Sequence, residues 1–281
     1  LGEPKDRFKE ALIAAERADV IVMCLGLDAG IEGEEGDAEN EYASGDKLGL
    51  KLPGLQQELL EAVAAVGKPI VLTVLAGSAL DLSWAQEHAQ IRAILDCWYP
   101  GARGGKAIAE ALFGEFSPCG KLPVTFYEGT EFLPDFTDYS MAERTYRYTD
   151  RHVLYPFGYG LSYTSFDISP VSLSADRMSF SGRLEASVRI KNTGNAEGAQ
   201  LVQLYIRDVA ASKVRPVKEL KGFKRVELAP GEIKRVSFEI SEEMLRFFRA
   251  DGSFASEPGS FKVWIADSSR TEGEPAEFIF L

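Results

Sequence analysis

Between Asp28 and Asp46 the chain carries eight carboxylates and no lysine or arginine. Carboxyl groups held close together without a compensating cation resist ionisation. A carboxylic acid kept protonated near neutral pH can give its proton to a leaving group. The acids cluster in Ile31-Glu32-Gly33-Glu34-Glu35-Gly36-Asp37. A solvated acidic loop is the competing reading of any such run.

The elements that must hold this loop can be read on either side of it. The apolar run Val20–Leu25, within a strand over 19–27, reads as buried and places the loop at the carboxyl end of a sheet, where α/β proteins build their sites. Before it, residues 4–18 set Phe8, Leu12 and Ala15 on one stripe of a helix with Pro4 in its first turn. After it, Pro53-Gly54 opens a second helix that buries Leu55, Leu59, Leu60 and Val63 and stops at Gly67. Pro69–Ala76 is apolar throughout, as a strand in a parallel sheet covered on both faces requires. A short helix at 83–90, a third strand at 91–98 and a helix at Gly105–Phe113 continue the β-then-α pattern, and Leu122–Phe126 is read as an edge strand. The expectation is a layered α/β domain over 1–127.

Residues 128–165 are dense in aromatics, among them Tyr146, Tyr155, Phe157 and Tyr159, interleaved with glycine and proline. Such a stretch pins an irregular linker against a domain surface. Over 166–281 alternation of period two takes over. Strands are expected at Ile168–Leu173, Leu184–Lys191, Leu201–Arg207, Val217–Leu228, Arg235–Ile240, Phe261–Ala266 and Glu277–Leu281. About seven strands in this length predict an all-β immunoglobulin-like sandwich.

Composition narrows the function. With 43 acids against 31 bases the net charge is −12, which argues against nucleic acid or an anionic membrane as partner and suits a neutral substrate such as a sugar. Cys24, Cys97 and Cys119 lack metal-ligand spacing, and the two in apolar runs read as buried reduced thiols. His88 and His152 are the two histidines, far apart, so neither a histidine metal site nor a Ser-His-Asp triad is expected, and no cofactor is called for. Unpaired cysteines lean towards the cytoplasm, with a secreted or periplasmic destination left open. The glycines after the first strand do not form G-x-G-x-x-G, and the carboxylates behind them would repel phosphate.

A longer set of motifs adds to this reading. Glu32-Gly33-Glu34-Glu35-Gly36, followed by Gly45-Asp46-Lys47-Leu48-Gly49-Leu50-Lys51-Leu52-Pro53-Gly54-Leu55-Gln56, resembles the E-G-E-G-x-D-R-x-x-L-x-L-P-G-x-Q signature of glycoside hydrolase family three, the β-glucosidases and β-xylosidases. Further matches are Trp98-Tyr99-Pro100-Gly101, Gly120–Phe126, Tyr155–Tyr163, Lys218–Phe223 and Pro230-Gly231-Glu232. The resemblance implies an α/β sandwich followed by a fibronectin type III domain, with the aromatic segment joining them.

It also implies chemistry. Retaining glycosidases use two carboxyl groups about 5–5.5 Å apart, one attacking the anomeric carbon and the other protonating the leaving oxygen. In the family the nucleophile is an aspartate on a (β/α)₈ barrel, and the sandwich loop supplies the general acid/base. A barrel takes about 250 residues and does not fit here beside two other domains. The middle glutamate of E-G-E-G carries over to Glu34, with Glu35 as second choice because it replaces the second glycine. The D-R pair arrives late as Asp46-Lys47, so Asp37–Gly45 reads as an insertion. Glu32 and Asp37 then shape the local charge or lie in solvent. The expected activity is hydrolysis of terminal β-linked glucose or xylose, with arabinofuranosidase activity left open. The chain alone is expected to be inactive without a barrel in cis or in trans. The alternative is a non-catalytic scaffold or sugar-binding module; a homo-oligomer is left open.

Overall fold

The computed structural model describes residues 5–28, 31, 47–149, 151–271 and 273–281. They divide into two compact units: one of residues up to 112 with 126–133, the other of 113–125 with 134–281.

In the first unit the order is α1 (Phe8–Arg17), β1 (Ile21–Gly26), α2 (Gln56–Ala64), β2 (Ile70–Leu75), α3 (Ser83–Glu87), β3 (Ile91–Asp96) and α4 (Gly104–Leu112). The three strands form a parallel sheet in the order β1-β2-β3. Central β2 buries Ile70, Leu72, Thr73 and Val74 and half-buries Val71 and Leu75, so no residue of it is exposed, as its apolar run calls for. Helix α2 adds Leu60, Val63 and Ala64 to the core, and Gly67 ends that segment at φ +83°.

The flanking strands differ from the expectation of full burial. Along β1 Met23 and Leu25 are buried, whereas Val22 is half exposed and Cys24 faces outward. An outer strand is covered on one face by the described residues, and alternation then sends every second side chain out. Cys97 is half-buried, so neither thiol is fully enclosed. The third strand stops at Asp96, because Trp98 takes a left-handed φ of 51° that no strand accommodates. Leu122–Phe126 is not a strand. Pro123 has no N–H to donate, and Leu122 pairs instead with a turn, donating to Tyr159 O (2.8 Å) and accepting from Gly158 N (2.7 Å).

The second unit contains the short helix α5 (Thr145–Tyr148) and strands β4 (Phe166–Ile168), β5 (Ser172–Leu173), β6 (Arg177–Met178), β7 (Arg183–Asn192), β8 (Gly198–Asp208), β9 (Glu219–Leu228), β10 (Ile233–Ser241), β11 (Phe247–Phe248), β12 (Phe254–Ala255), β13 (Gly259–Ala266) and β14 (Ala276–Phe280). One sheet runs β10-β7-β4 with β5 also on β7; another runs β6-β14-β13-β8-β9; β11 and β12 pair with each other. The expected strand over 168–173 is broken around Pro170, which cannot donate to a ladder. Three two-residue strands, β6, β11 and β12, raise the total above the seven expected. They are too short to show a period.

Between the sheets, inward residues of β7, β8, β10, β13 and β14 make one core, including Ile190, Val202, Leu204, Ile240, Phe261 and Phe278. Fully buried Asn192 closes one end of it. Its Nδ2 donates to Ala196 O (2.8 Å) and Leu228 O (3.0 Å), and its Oδ1 accepts from Thr164 Oγ1 (2.6 Å) and Gly194 N (3.1 Å). The aromatic stretch packs on this sandwich, as its composition suggested. Tyr146 stacks on Phe157 with centroids 4.3 Å apart and meets Tyr205 of β8 edge-on at 6.0 Å.

Candidate functional site

The carboxyl ends of β1, β2 and β3 lie side by side and hold both roots of the acidic loop. Gly26, the last residue of β1, sits at φ +140°, and a Cβ there would come within 1.9 Å of Leu75 O. Only glycine permits that approach, and it brings Leu27 N within 2.7 Å of Leu75 O. The carboxamide of Gln56, at the start of α2, pairs with the same residue twice: Gly26 N donates to its Oε1 (2.7 Å) and its Nε2 donates to Gly26 O (2.8 Å). Gln56 ends the P-G-x-Q motif, so the motif ties the outgoing end of the loop segment to the incoming one.

Beyond Gly26, Ile31 N donates to both Asp28 O and Asp28 Oδ1 at 3.1 Å. At the far root Lys47 donates to Ser78 Oγ (2.8 Å), and Asp81 N donates to Leu50 O (2.7 Å), fastening the segment to the chain leaving β2. Glu34, Glu35, Glu32, Asp37 and Asp46 lie outside the described residues, as do Pro4 and the Asp37–Gly45 insertion.

One acid at this edge was missed in the sequence. Asp96 closes β3, and burial pushes its carboxyl up to about 6 against the opposing pull of a hydrogen bond from the Trp98 backbone. Its Oδ2 is buried without a partner among the described residues. The signal available was a lone acid directly after the apolar residues Ala93-Ile94-Leu95. Its neighbour Cys97 is pushed up to about 11 by burial, then by the Asp96 charge and Cys24. The edge thus contains a carboxyl group that shares its proton near pH 6, the behaviour expected of the acidic loop itself. Among the described residues no group of three or more His, Cys, Asp or Glu is placed to hold a metal ion, and no helix is long and apolar enough to cross a membrane.

Comparison with known proteins agrees with this architecture. Residues 4–163 match the glycosyl hydrolase family 3 C-terminal domain, and residues 200–269 a fibronectin type III-like domain. The chain is 41% identical to a periplasmic β-glucosidase of Salmonella typhimurium, over 96% of this chain and 35% of that protein. It is 36% identical to a xylan 1,4-β-xylosidase of Xylanibacter ruminicola, over 93% and 30%. Among solved structures, a β-glucosidase from Erythrobacter marinus superposes with a TM-score of 0.85 at 39% identity, covering 98% of this chain and 36% of that one. The chain spans about a third of the length of the curated relatives it matches. By the extent of the family match and the order of its domains, this chain belongs to glycosyl hydrolase family 3, of which it carries the C-terminal α/β domain followed by a fibronectin type III-like domain.

Proposed function

We propose that the chain is the carboxyl-terminal part of a retaining β-glycosidase acting on terminal non-reducing β-D-glucosyl or β-xylosyl residues. Glu34 is its general acid/base, with Glu35 the second choice. The nucleophile comes from a barrel domain that supplies the other half of the site, and the 281 residues alone turn over nothing appreciable. The observation that carries this reading is the double hydrogen bond between Gln56 and Gly26, which fixes the root of the acidic loop at the carboxyl edge of the sheet. The β-glucosidase and β-xylosidase names of the relatives support the substrate class.

Hydrolysis then proceeds in two displacements. The barrel carboxylate attacks the anomeric carbon while Glu34 protonates the leaving oxygen; Glu34 next takes a proton from water as that water opens the glycosyl intermediate. The test replaces Glu34 and Glu35 separately by alanine in the protein together with its barrel. Loss of activity on poor leaving groups, partial survival on activated aryl glycosides and rescue by azide identify the acid. If neither variant behaves so, the assignment fails.

A second reading, a non-catalytic sugar-binding module, draws on a cavity of about 580 Å³ in the sandwich unit lined by Tyr159, Trp264, Gln200 and Asp267. Aromatic faces beside carboxylates suit sugars. Calorimetric binding of glucose or xylose by the isolated chain favours this reading.

A further inference from the structure

A smaller cavity of about 200 Å³ in the second unit has a different lining. Lys218, Arg151 and Arg270 contribute three cations to it, and Thr125, Tyr146 and Thr271 contribute hydroxyls; among the described residues no carboxylate lines it. In a chain of net charge −12 such a concentration of one sign is unexpected.

Lys218 is the fixed point. Its Nζ donates to Ser269 O at 2.9 Å and Thr271 Oγ1 at 2.7 Å, and it sits 5.3 Å from the centroid of Trp264. Two of its three N–H bonds are used, both on neutral acceptors. Among the described residues it has no ion pair, and neither does Arg270, which donates to Val153 O at 3.2 Å. Two acids of this unit already hold cations, Glu143 the lining's own Arg151 and Glu219 three others. Glu143 accepts from Arg151 Nε (3.2 Å) and Thr149 Oγ1 (2.9 Å), and Glu219 holds Arg147 and Lys221 at 3.0 Å and Arg215 at 3.4 Å. Burial first, and then the Arg207 charge, push Lys218 down to about 8. Thr125, itself buried, has a hydroxyl with no partner among the described residues. Lys218 is thus a half-buried cation without an ion pair among the described residues, with exposed Arg270 and an idle buried hydroxyl in the same lining.

We propose that this cavity binds a small doubly charged oxyanion of the phosphate class, either as the free ion or as the phosphate group of a phosphorylated sugar. Lys218, Arg270, Arg151 and the Thr125 hydroxyl bring donors to one cavity from four separate stretches of chain. That suits a tetrahedral group with several acceptor oxygens better than a planar carboxylate. Nothing in this assignment depends on the acidic loop.

The test is calorimetric titration of the full chain with inorganic phosphate at pH 7, against sodium chloride of equal ionic strength. The expected result is saturable binding to one site that weakens about tenfold or more in Lys218→Met and in Arg270→Ala. Arg270 is exposed, so its variant folds even if Lys218→Met does not. Nuclear magnetic resonance of labelled lysine adds an independent readout: phosphate should raise the Lys218 titration midpoint from about 8 towards its ordinary value. A parallel titration with glucose 6-phosphate and with glucose separates the sources. Tighter binding of the sugar phosphate assigns the site to a sugar-borne group; phosphate alone assigns it to the free ion. Heats equal to those of chloride, or binding unchanged in Arg270→Ala, would overturn the proposal.

Discussion

The carboxamide of Gln56 closes on both backbone polar groups of Gly26, at 2.7 and 2.8 Å, and so joins the two ends of the acidic segment across 30 residues of chain. The glycine at one end is required by the approach of Leu75 O, and the glutamine at the other by the need for one donor and one acceptor on the same group.

Replacing Gln56 by alanine leaves the Gly26 N–H and C=O without those partners. The expected cost is about 1–3 kcal/mol, read by chemical denaturation. On the role proposed for Glu34, the same variant assayed with a barrel domain present should lower kcat more than it raises KM, because the acidic segment loses the tie at its root. Gly26→Ala is the harsher change, expected to cost about 3 kcal/mol or more since backbone rather than a movable side chain blocks the new methyl.

Asp96 gives a pH signature with a definite sign. Its folded-state value of about 6 lies above the ordinary 3.8, so the folded chain holds this proton more tightly than the unfolded one. The contribution to stability is fully present below about pH 4 and is lost as pH rises to 6. Asp96→Asn should flatten that part of the stability profile and raise stability at pH 7 by about 1–2 kcal/mol, after allowance for its partial exposure to solvent. Thermal melts between pH 4 and 7 check it; an unchanged profile would contradict the burial of Asp96.

Cys97 should be a slow nucleophile despite its partial exposure. With its thiol pushed up to about 11, alkylation stays slow through pH 8 and climbs about tenfold per pH unit up to that value. Because the Asp96 charge contributes, Asp96→Asn should speed alkylation of Cys97 at a fixed pH of 8. Peptide mapping by mass spectrometry after iodoacetamide treatment measures both.

Asn192 is the largest single polar commitment inside the sandwich core. Asn192→Ala removes the partner of Ala196 O, Leu228 O, the Thr164 hydroxyl and Gly194 N, the Leu228 bond being fully buried and the other three partly so. A loss of about 2–4 kcal/mol is expected. Calorimetric melting should show it in the transition of the β unit.

The sequence by itself determined the fold class and the run of motifs. A continuous apolar run at 70–75 became the central strand of a parallel sheet, and alternation in 183–192 and 259–266 became paired strands of a sandwich. Local periodicity reflects burial directly, so these elements were legible. It also marked Gln56 as a motif residue, without saying that it touches Gly26.

Tertiary structure alone decided which side of β1 is covered, and hence that Cys24 faces outward; where β3 stops; and that Leu122 pairs with a turn rather than a strand. It also decided the protonation of Asp96 and Lys218, one pushed up and the other down by burial that residues far along the chain create. Ionisation depends on the desolvation and charge summed over every neighbour in space, and a linear sequence lists neighbours along the chain only.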